Sequence, residues 1–228
     1  VSTGIGIGAS YVFPQIPRGG DEPFEYTAID NSFSMEFDGS SSYIKTDGLT
    51  VNNTFTFSCW LNVNSFSLAN QCFLSSPNYY NSAGIAGNFI IRLNNNTTIN
   101  FYSYDGSANV ETITCTVPTI NTGSWHHFAL TNDGTTAQYY WDRSPITTTG
   151  VNTKDLDNLS AGLIIGDNIT NNNNAFNGKI DEVSLWTAAL SEETIQAIYD
   201  TTANNPGKVA DLTETPEGLP SAWYRMGD

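Results

Sequence analysis

Apolar residues recur at every second position in a series of short runs. Phe55, Phe57, Cys59, Leu61 and Val63 alternate with Thr56, Ser58, Trp60 and Asn62. A period of two is the mark of a strand with one face toward a core, and it places Trp60 on the face opposite the core row. Phe33, Met35 and Phe37 share one face before a turn at Asp38-Gly39, and Phe128 and Leu130 point inward before a turn at Asp133-Gly134. Cys72–Ser75 and Phe89–Leu93 read as strands, the second ending at Asn94–Asn96. Thr98–Tyr104 and Val110–Val117 read as a hairpin about Asp105-Gly106, with Ile99 and Phe101 on one face and Tyr102 and Tyr104 on the other. Asn177-Gly178 is a strong turn signal, because both residues tolerate φ > 0. After it Ile180, Glu182, Ser184 and Trp186 alternate with Asp181, Val183 and Leu185. Helical spacing enters at Ser191, an N-cap flanked by Leu190 and Ile195 at the two positions of a hydrophobic staple.

The expected fold is therefore all-β, a sandwich or barrel of short strands with one short C-terminal helix. Residues 1–32 read as an extended arm or linker, since Pro14, Pro17, Pro23 and Arg18-Gly19-Gly20-Asp21 break regular structure. Gly4-x-Gly6-x-Gly8 lacks the strand–turn–helix setting of a nucleotide loop. The domain is expected over 33–202. Residues 203–228, punctuated by Pro and Gly, read as a tail or a connection to a further segment. The sequence opens on Val1 with no basic-then-apolar leader, as a processed chain or a fragment would.

Composition narrows the function. Eight basic against 23 acidic residues give a formal charge of −15. That excludes nucleic acid, whose phosphates need Lys and Arg, and disfavours an anionic membrane surface. No apolar run reaches the length that spans a bilayer. Cys59, Cys72 and Cys115 cannot all pair with one another. Cys59, inside an apolar alternation, reads as a buried thiol, and a Cys59–Cys72 bridge stays open.

Several of these stretches match one known pattern. Phe176-Asn-Gly-Lys-Ile-Asp-Glu-Val-Ser-Leu-Trp186 through Ser191 resembles the C-terminal signature of the laminin-G-like branch of the concanavalin A-like lectin/glucanase superfamily. Phe37-Asp-Gly, Phe55–Leu61, Trp125-His-His-Phe-Ala-Leu and Leu163-Ile-Ile-Gly-Asp resemble its other strands. Ser42 stands where the pattern usually has Asp, and Trp141 and Arg143 depart from its L-Y-V/I-D-G strand. The resemblance covers about residues 33 to 200 and implies a jelly-roll β-sandwich of two antiparallel sheets, a fold that serves binding, structure and catalysis alike.

The candidate chemistry follows from residue type. Sugar sites combine flat aromatic rings with hydrogen-bonding amides and acids. Trp60, Asn78, Tyr79, Tyr80, Asn81, Tyr102, Tyr104 and Trp141 supply that mixture; for Trp60 the favoured reading is a ring covered by a loop, with a sugar-stacking platform as the alternative. The resemblance also implies a calcium ion near the first and last strands, with Asp38, Asp167 and Asp181 as ligands. His126 and His127 are adjacent on a strand and point to opposite faces, so they cannot chelate together. Glycoside hydrolysis needs two carboxylates flanking one bond. The family's Glu-x-Asp-x-x-Glu set is incomplete at Glu36-Phe-Asp38, and Asp181 and Glu182 are neighbours on a strand, expected on opposite faces. The expected function is a non-catalytic, lectin-like adhesion module on an extracellular or virion surface, such as a bacteriophage protein, with a cell-surface glycan and neighbouring subunits as partners. The alternatives are a decoration, cement or fibre protein that assembles through its arm, and, less favoured, a glycan-cleaving enzyme.

Overall fold

A computed structural model of the chain describes residues 24–51, 53–77, 88–104, 110–149, 159–168 and 174–226. In chain order the elements are β1 (Ala28–Asp30), β2 (Met35–Asp38), β3 (Ile44–Lys45), β4 (Thr54–Val63), β5 (Gln71–Ser75), β6 (Phe89–Asn95), β7 (Thr98–Tyr104) and β8 (Val110–Thr116). There follow β9 (Trp125–Asp133), β10 (Ala137–Trp141), β11 (Ser144–Ile146), β12 (Thr148–Thr149), β13 (Ile164–Ile165), β14 (Asn177–Trp186), helix α1 (Glu192–Asn204), β15 (Lys208–Ala210) and β16 (Ala222–Tyr224). One sheet runs β11-β10-β9-β4-β14, with β2 and β16 both paired to the remaining edge of β14. The other runs β12-β8-β7-β6-β5-β13-β3. The two antiparallel sheets face each other as a jelly-roll sandwich.

The period-two rows meet between the sheets. Phe57, Cys59 and Leu61 of β4 and Phe128 and Leu130 of β9 lie against Phe73, Phe89, Ile91 and Phe101 of the second sheet, all essentially inaccessible. Rings interlock across the gap, with Phe73 and Phe128 edge to face at 5.2 Å and Phe57 and Phe89 at 5.6 Å. Each such side chain contributes about 1.5–3 kcal/mol through burial alone. Gly166 shows how close the packing is: its φ of +89° is one that L residues avoid, and a Cβ there would run into the ring of Phe37.

Three expectations change. First, β14 does not alternate throughout. Its register against β4 shifts between Asp181 and Ser184, and Glu182 has a φ of +52°. This bulge inserts one residue, so Ile180, Val183 and Leu185 share the core side while Trp186 joins the cluster beneath α1. Second, only Phe37 of the Phe33/Met35/Phe37 row reaches the core. Phe33 and Met35 are exposed, because β2 meets β14 only from Met35 onward, at the sheet's edge. Third, residues 24–32 and 203–226 are built into the fold. Strand β1 pairs with β15, Tyr26 and Leu212 pack with α1, and β16 adds to the first sheet. The rest of the expected arm, 1–23, lies outside the described residues.

The helix begins as its sequence signals. Ser191 Oγ accepts the Thr194 amide, Glu192 and Glu193 occupy the first turn, and Leu190 and Ile195 are buried in one cluster. That cluster, with Tyr26, Ala129, Tyr140, Trp186 and Ile198, lies on the outward face of the first sheet, so α1 roofs that face. At the β10–β11 hairpin, Asp142 and Arg143 both have positive φ, which explains a glycine in the related pattern; here Arg143 Nε instead reaches Asp200 of α1 at 2.9 Å. All three cysteines are free and buried.

Candidate functional site

The tryptophans named from sequence are not open platforms. Trp141 pairs with Phe128, so it shares that residue's inward side; it is 2% exposed and stacks on His126. Trp60 does face outward but is 7% exposed, because Tyr199 of α1 stacks on it at 5.6 Å between centroids and 14° between planes. Tyr102 faces away from the core on β7, yet the Arg92 guanidinium lies 4.4 Å over its ring and donates to its hydroxyl at 2.8 Å. Asn78, Tyr79, Tyr80, Asn81 and the Tyr104 side chain lie outside the described residues.

The three aspartates do not converge. Asp38 Oδ1 accepts the amides of Ser40, Ser41 and Ser42, which holds its carboxyl well below the usual carboxylate range. It sits opposite Asn177, and Asp181 lies four residues further along β14, about 13 Å away at the rise of a strand. One calcium ion, with ligands at about 2.3–2.6 Å, cannot bind both. Asp167 is buried elsewhere, its carbonyl accepting Cys72 Sγ and Ser75 Oγ and its Oδ1 the Asn168 amide. Among the described residues no three His, Cys, Asp or Glu side chains gather as a metal site.

Asp181 instead belongs to a cleft of about 500 Å³ on the roofed face of the first sheet. Trp60 pairs with Asp181 across β4 and β14, and Trp125 stands beside Asn62 two positions away on the same face of β4. These residues form the floor and one rim. The end of α1, with Tyr199 and Thr202, forms a wall, and Asn31 to Ser34 close the side opposite. Asn31 fixes that segment: its amide bonds the Gly207 carbonyl at 2.9 Å and its Nδ2 donates to Asp181 Oδ2 at 3.0 Å. Its Oδ1 is buried and without a partner. Two rings stay available to solvent here, Phe33 at 61% exposed and Trp125 at 40%. Asp181 is the sole carboxylate among the described lining residues, and Lys208 is already paired to Asp30 at 3.2 Å.

A second groove of about 610 Å³, on another side of α1, is lined by Glu25, Glu193, Asp200 and Arg143 among others. Its rings, Phe24 and Tyr26, pack edge to face at 4.8 Å, and Tyr26 is buried. The smaller cleft has the better chemistry.

Beneath the cleft lie two buried titratable groups. His127 is wholly inaccessible; Nε2 lies 2.7 Å from Ser58 Oγ, and burial, partly opposed by Asp142, pushes its pKa down to about 4. Glu182, on the bulge, accepts Trp223 Nε1 at 2.6 Å and has Arg225 Nε 3.6 Å away. Burial pushes its pKa up to about 7. Glu182 lies with Trp60 and Ser58 under α1, so the bulge brings both Asp181 and Glu182 to the Trp60 side of the sheet, against the alternation expected from sequence. Glu182 does not line the cleft.

Sequence reading passed over Asn31, Phe33, Trp125 and Tyr199 as site residues. Trp125 carried a signal, because the inward row Phe128, Leu130 sets His127 and Trp125 on the outer face. The others are brought in only by the β1–β2 connection and the helix.

The chain matches the family model described as the concanavalin A-like lectin/glucanases superfamily over residues 38–196. Solved structures share the fold. A heptameric SAP-like pentraxin from Limulus polyphemus is 16% identical with a TM-score of 0.56, over 83% of this chain and 90% of that one. The CBM40 domain of the Ruminococcus gnavus IT-sialidase, bound to α2,3-sialyllactose, is 15% identical with a TM-score of 0.59, over 74% and 96%. Domain 4 of an extracellular arabinanase from Geobacillus stearothermophilus, in complex with arabinotriose, is 18% identical with a TM-score of 0.53, over 77% and 82%. No curated protein matches the chain.

Proposed function

Starting from a chain that belongs to the concanavalin A-like lectin/glucanases superfamily, we propose that it is a non-catalytic carbohydrate-binding module whose glycan lies in the cleft between α1 and residues 31–34. The observation that carries this reading is the pairing of two exposed rings, Phe33 and Trp125, with the carboxylate and amide of Asp181 and Asn31. The rings offer flat apolar faces to the C–H side of a pyranose, and the polar pair offers partners to its hydroxyls. Two of the similar folds being bound to sialyllactose and arabinotriose supports the same reading. A lone carboxylate in the cleft speaks against hydrolysis, which needs two about 5–9.5 Å apart. The module acts outside the cell, where it adheres to surface glycans. No helix among the described residues is long and apolar enough to cross a membrane.

A glycan-array screen of the whole chain beside Trp125→Ala and Phe33→Ala tests this. Binding by the parent, lost in both variants while their folding is unchanged, is the expected result. Binding that survives both substitutions moves the site elsewhere, and silence across the array contradicts a glycan-binding role.

A further inference from the structure

We propose that Arg225 is a positioning residue for the glycan, fixing from outside the cleft the wall formed by residues 31–34; this rests on the carbohydrate reading above. The wall is a connection between strands. β1 ends at Asp30 and β2 begins at Met35, so the residues between them lie in no strand. Packing does not hold them either, since the Phe33 ring is exposed. Strand β1 itself pairs with β15 in a small two-stranded sheet apart from the main ones. The wall's position is therefore set by how the end of β1 is tied to the first sheet.

Two side chains make that tie. Within the cleft, Asn31 Nδ2 donates to Asp181 Oδ2 at 3.0 Å. Outside it, Arg225 Nη2 donates to the Asp30 carbonyl at 2.5 Å, while Arg225 Nε lies 3.6 Å from Glu182 Oε1. Glu182 is a firm anchor: its side chain is almost wholly buried, and its Oε2 accepts Trp223 Nε1 at 2.6 Å. Trp223 and Arg225 stand two residues apart on one extended segment, which turns both toward that carboxylate. The Arg225 guanidinium also lies over the Trp223 ring, 5.4 Å from its centroid. A guanidinium suits the task because its planar fork presents donors in fixed directions, here one to the carboxylate and one to the carbonyl. Neither Arg225 nor Glu182 lines the cleft. Consecutive residues of the β14 bulge, Asp181 and Glu182, thus anchor the wall by two routes. A wall fixed in advance spares the glycan the cost of ordering it, and such preorganisation raises affinity without a new contact.

Arg225→Gln in the full chain, measured beside the parent, tests this in two ways. Amide order parameters of Ser32, Phe33 and Ser34 are recorded without glycan. They are expected near about 0.85 in the parent and below about 0.6 in the variant, with the β4 amides unchanged. The dissociation constant for the tightest-binding glycan of the array is expected to rise about tenfold, the factor that ordering one or two side chains costs. Where Arg225→Gln fails to fold, Arg225→Lys takes its place. Its point charge stays beside Glu182 but cannot also serve the carbonyl, and the same two changes are expected. Wall amides equally ordered in variant and parent, order lost equally in β4, or an unchanged dissociation constant each overturn the inference and leave the carbohydrate reading standing. An array on which the parent binds nothing overturns both.

Discussion

Tyr199 lies flat on Trp60, ring centroids 5.6 Å apart and planes 14° off parallel. One contact thus joins the helix to the centre of the first sheet and turns what would be an outward tryptophan into the floor of a cleft. Replacing Tyr199 by Ala removes a stacked pair worth about 0.5–1.5 kcal/mol beyond its area together with part of the burial of both rings. We expect a loss of about 2 kcal/mol in urea unfolding and increased quenching of tryptophan fluorescence by acrylamide. An unchanged quenching constant would mean that the helix does not cover Trp60 in solution.

Glu182 and His127 make opposite demands on pH. Glu182 rises from 4.5 unfolded to about 7 folded, so its contribution is greatest at low pH and is lost as pH climbs through that interval. His127 falls from 6.5 unfolded to about 4 folded, so its contribution is lost as pH drops through that interval. Between pH 4.5 and 6.5 the folded chain holds one proton on Glu182 and the unfolded chain one on the histidine, and the two slopes cancel. The parent's stability is therefore expected to be nearly flat there. Glu182→Gln exposes the histidine slope, a gain of about 3 kcal/mol as pH rises from 4 to 6.5. His127→Gln exposes the reverse slope. Urea titrations at half-unit pH steps check this; parallel profiles for all three proteins would refute it.

Gly166 combines a positive φ with a backbone pressed on Phe37. Gly166→Ala adds a methyl that the ring must yield to and a strained backbone, for a cost of about 3 kcal/mol or more. Adding Phe37→Leu should recover part of it by vacating the space. Thermal unfolding of the single and double variants measures the coupling, and simple additivity would contradict the contact.

Arg143 occupies the second position of a two-residue hairpin loop at φ +79°. Arg143→Gly relieves that conformation while losing an exposed ion pair to Asp200, worth about 0–1 kcal/mol. The expected change is within about 1 kcal/mol, measured by denaturant midpoint. A larger loss would show that the pair fastens the hairpin to α1.

The strands that read clearly from sequence are those with unbroken alternation, β4 and β9, whose inward rows are the core. The helix start was equally plain, because Ser191 caps through a local hydrogen bond. Glu182 broke the reading of β14, since a carboxylate in left-handed backbone has no local signature; it is kept there by Trp223 and Arg225, about forty residues away in sequence. Trp141 was misplaced for want of register. Counting back from the Asp133-Gly134 turn pairs it with Phe128 and sends it inward. The cleft was the least legible part. Asn31, Trp60, Trp125, Asp181 and Tyr199 share no motif, and only the crossing of α1 over the sheet assembles them.

The five tryptophans give the most direct test of where the ligand sits. Indole N–H resonances of the full chain, assigned by single Trp→Phe substitutions, are followed during titration with the tightest-binding glycan from the array. The account predicts that the Trp125 signal moves and saturates with the ligand, with a smaller shift at Trp60. Trp141 in the core and Trp186 beneath the helix are predicted to stay still. A Trp125 resonance unmoved at saturation would contradict the cleft as the carbohydrate site.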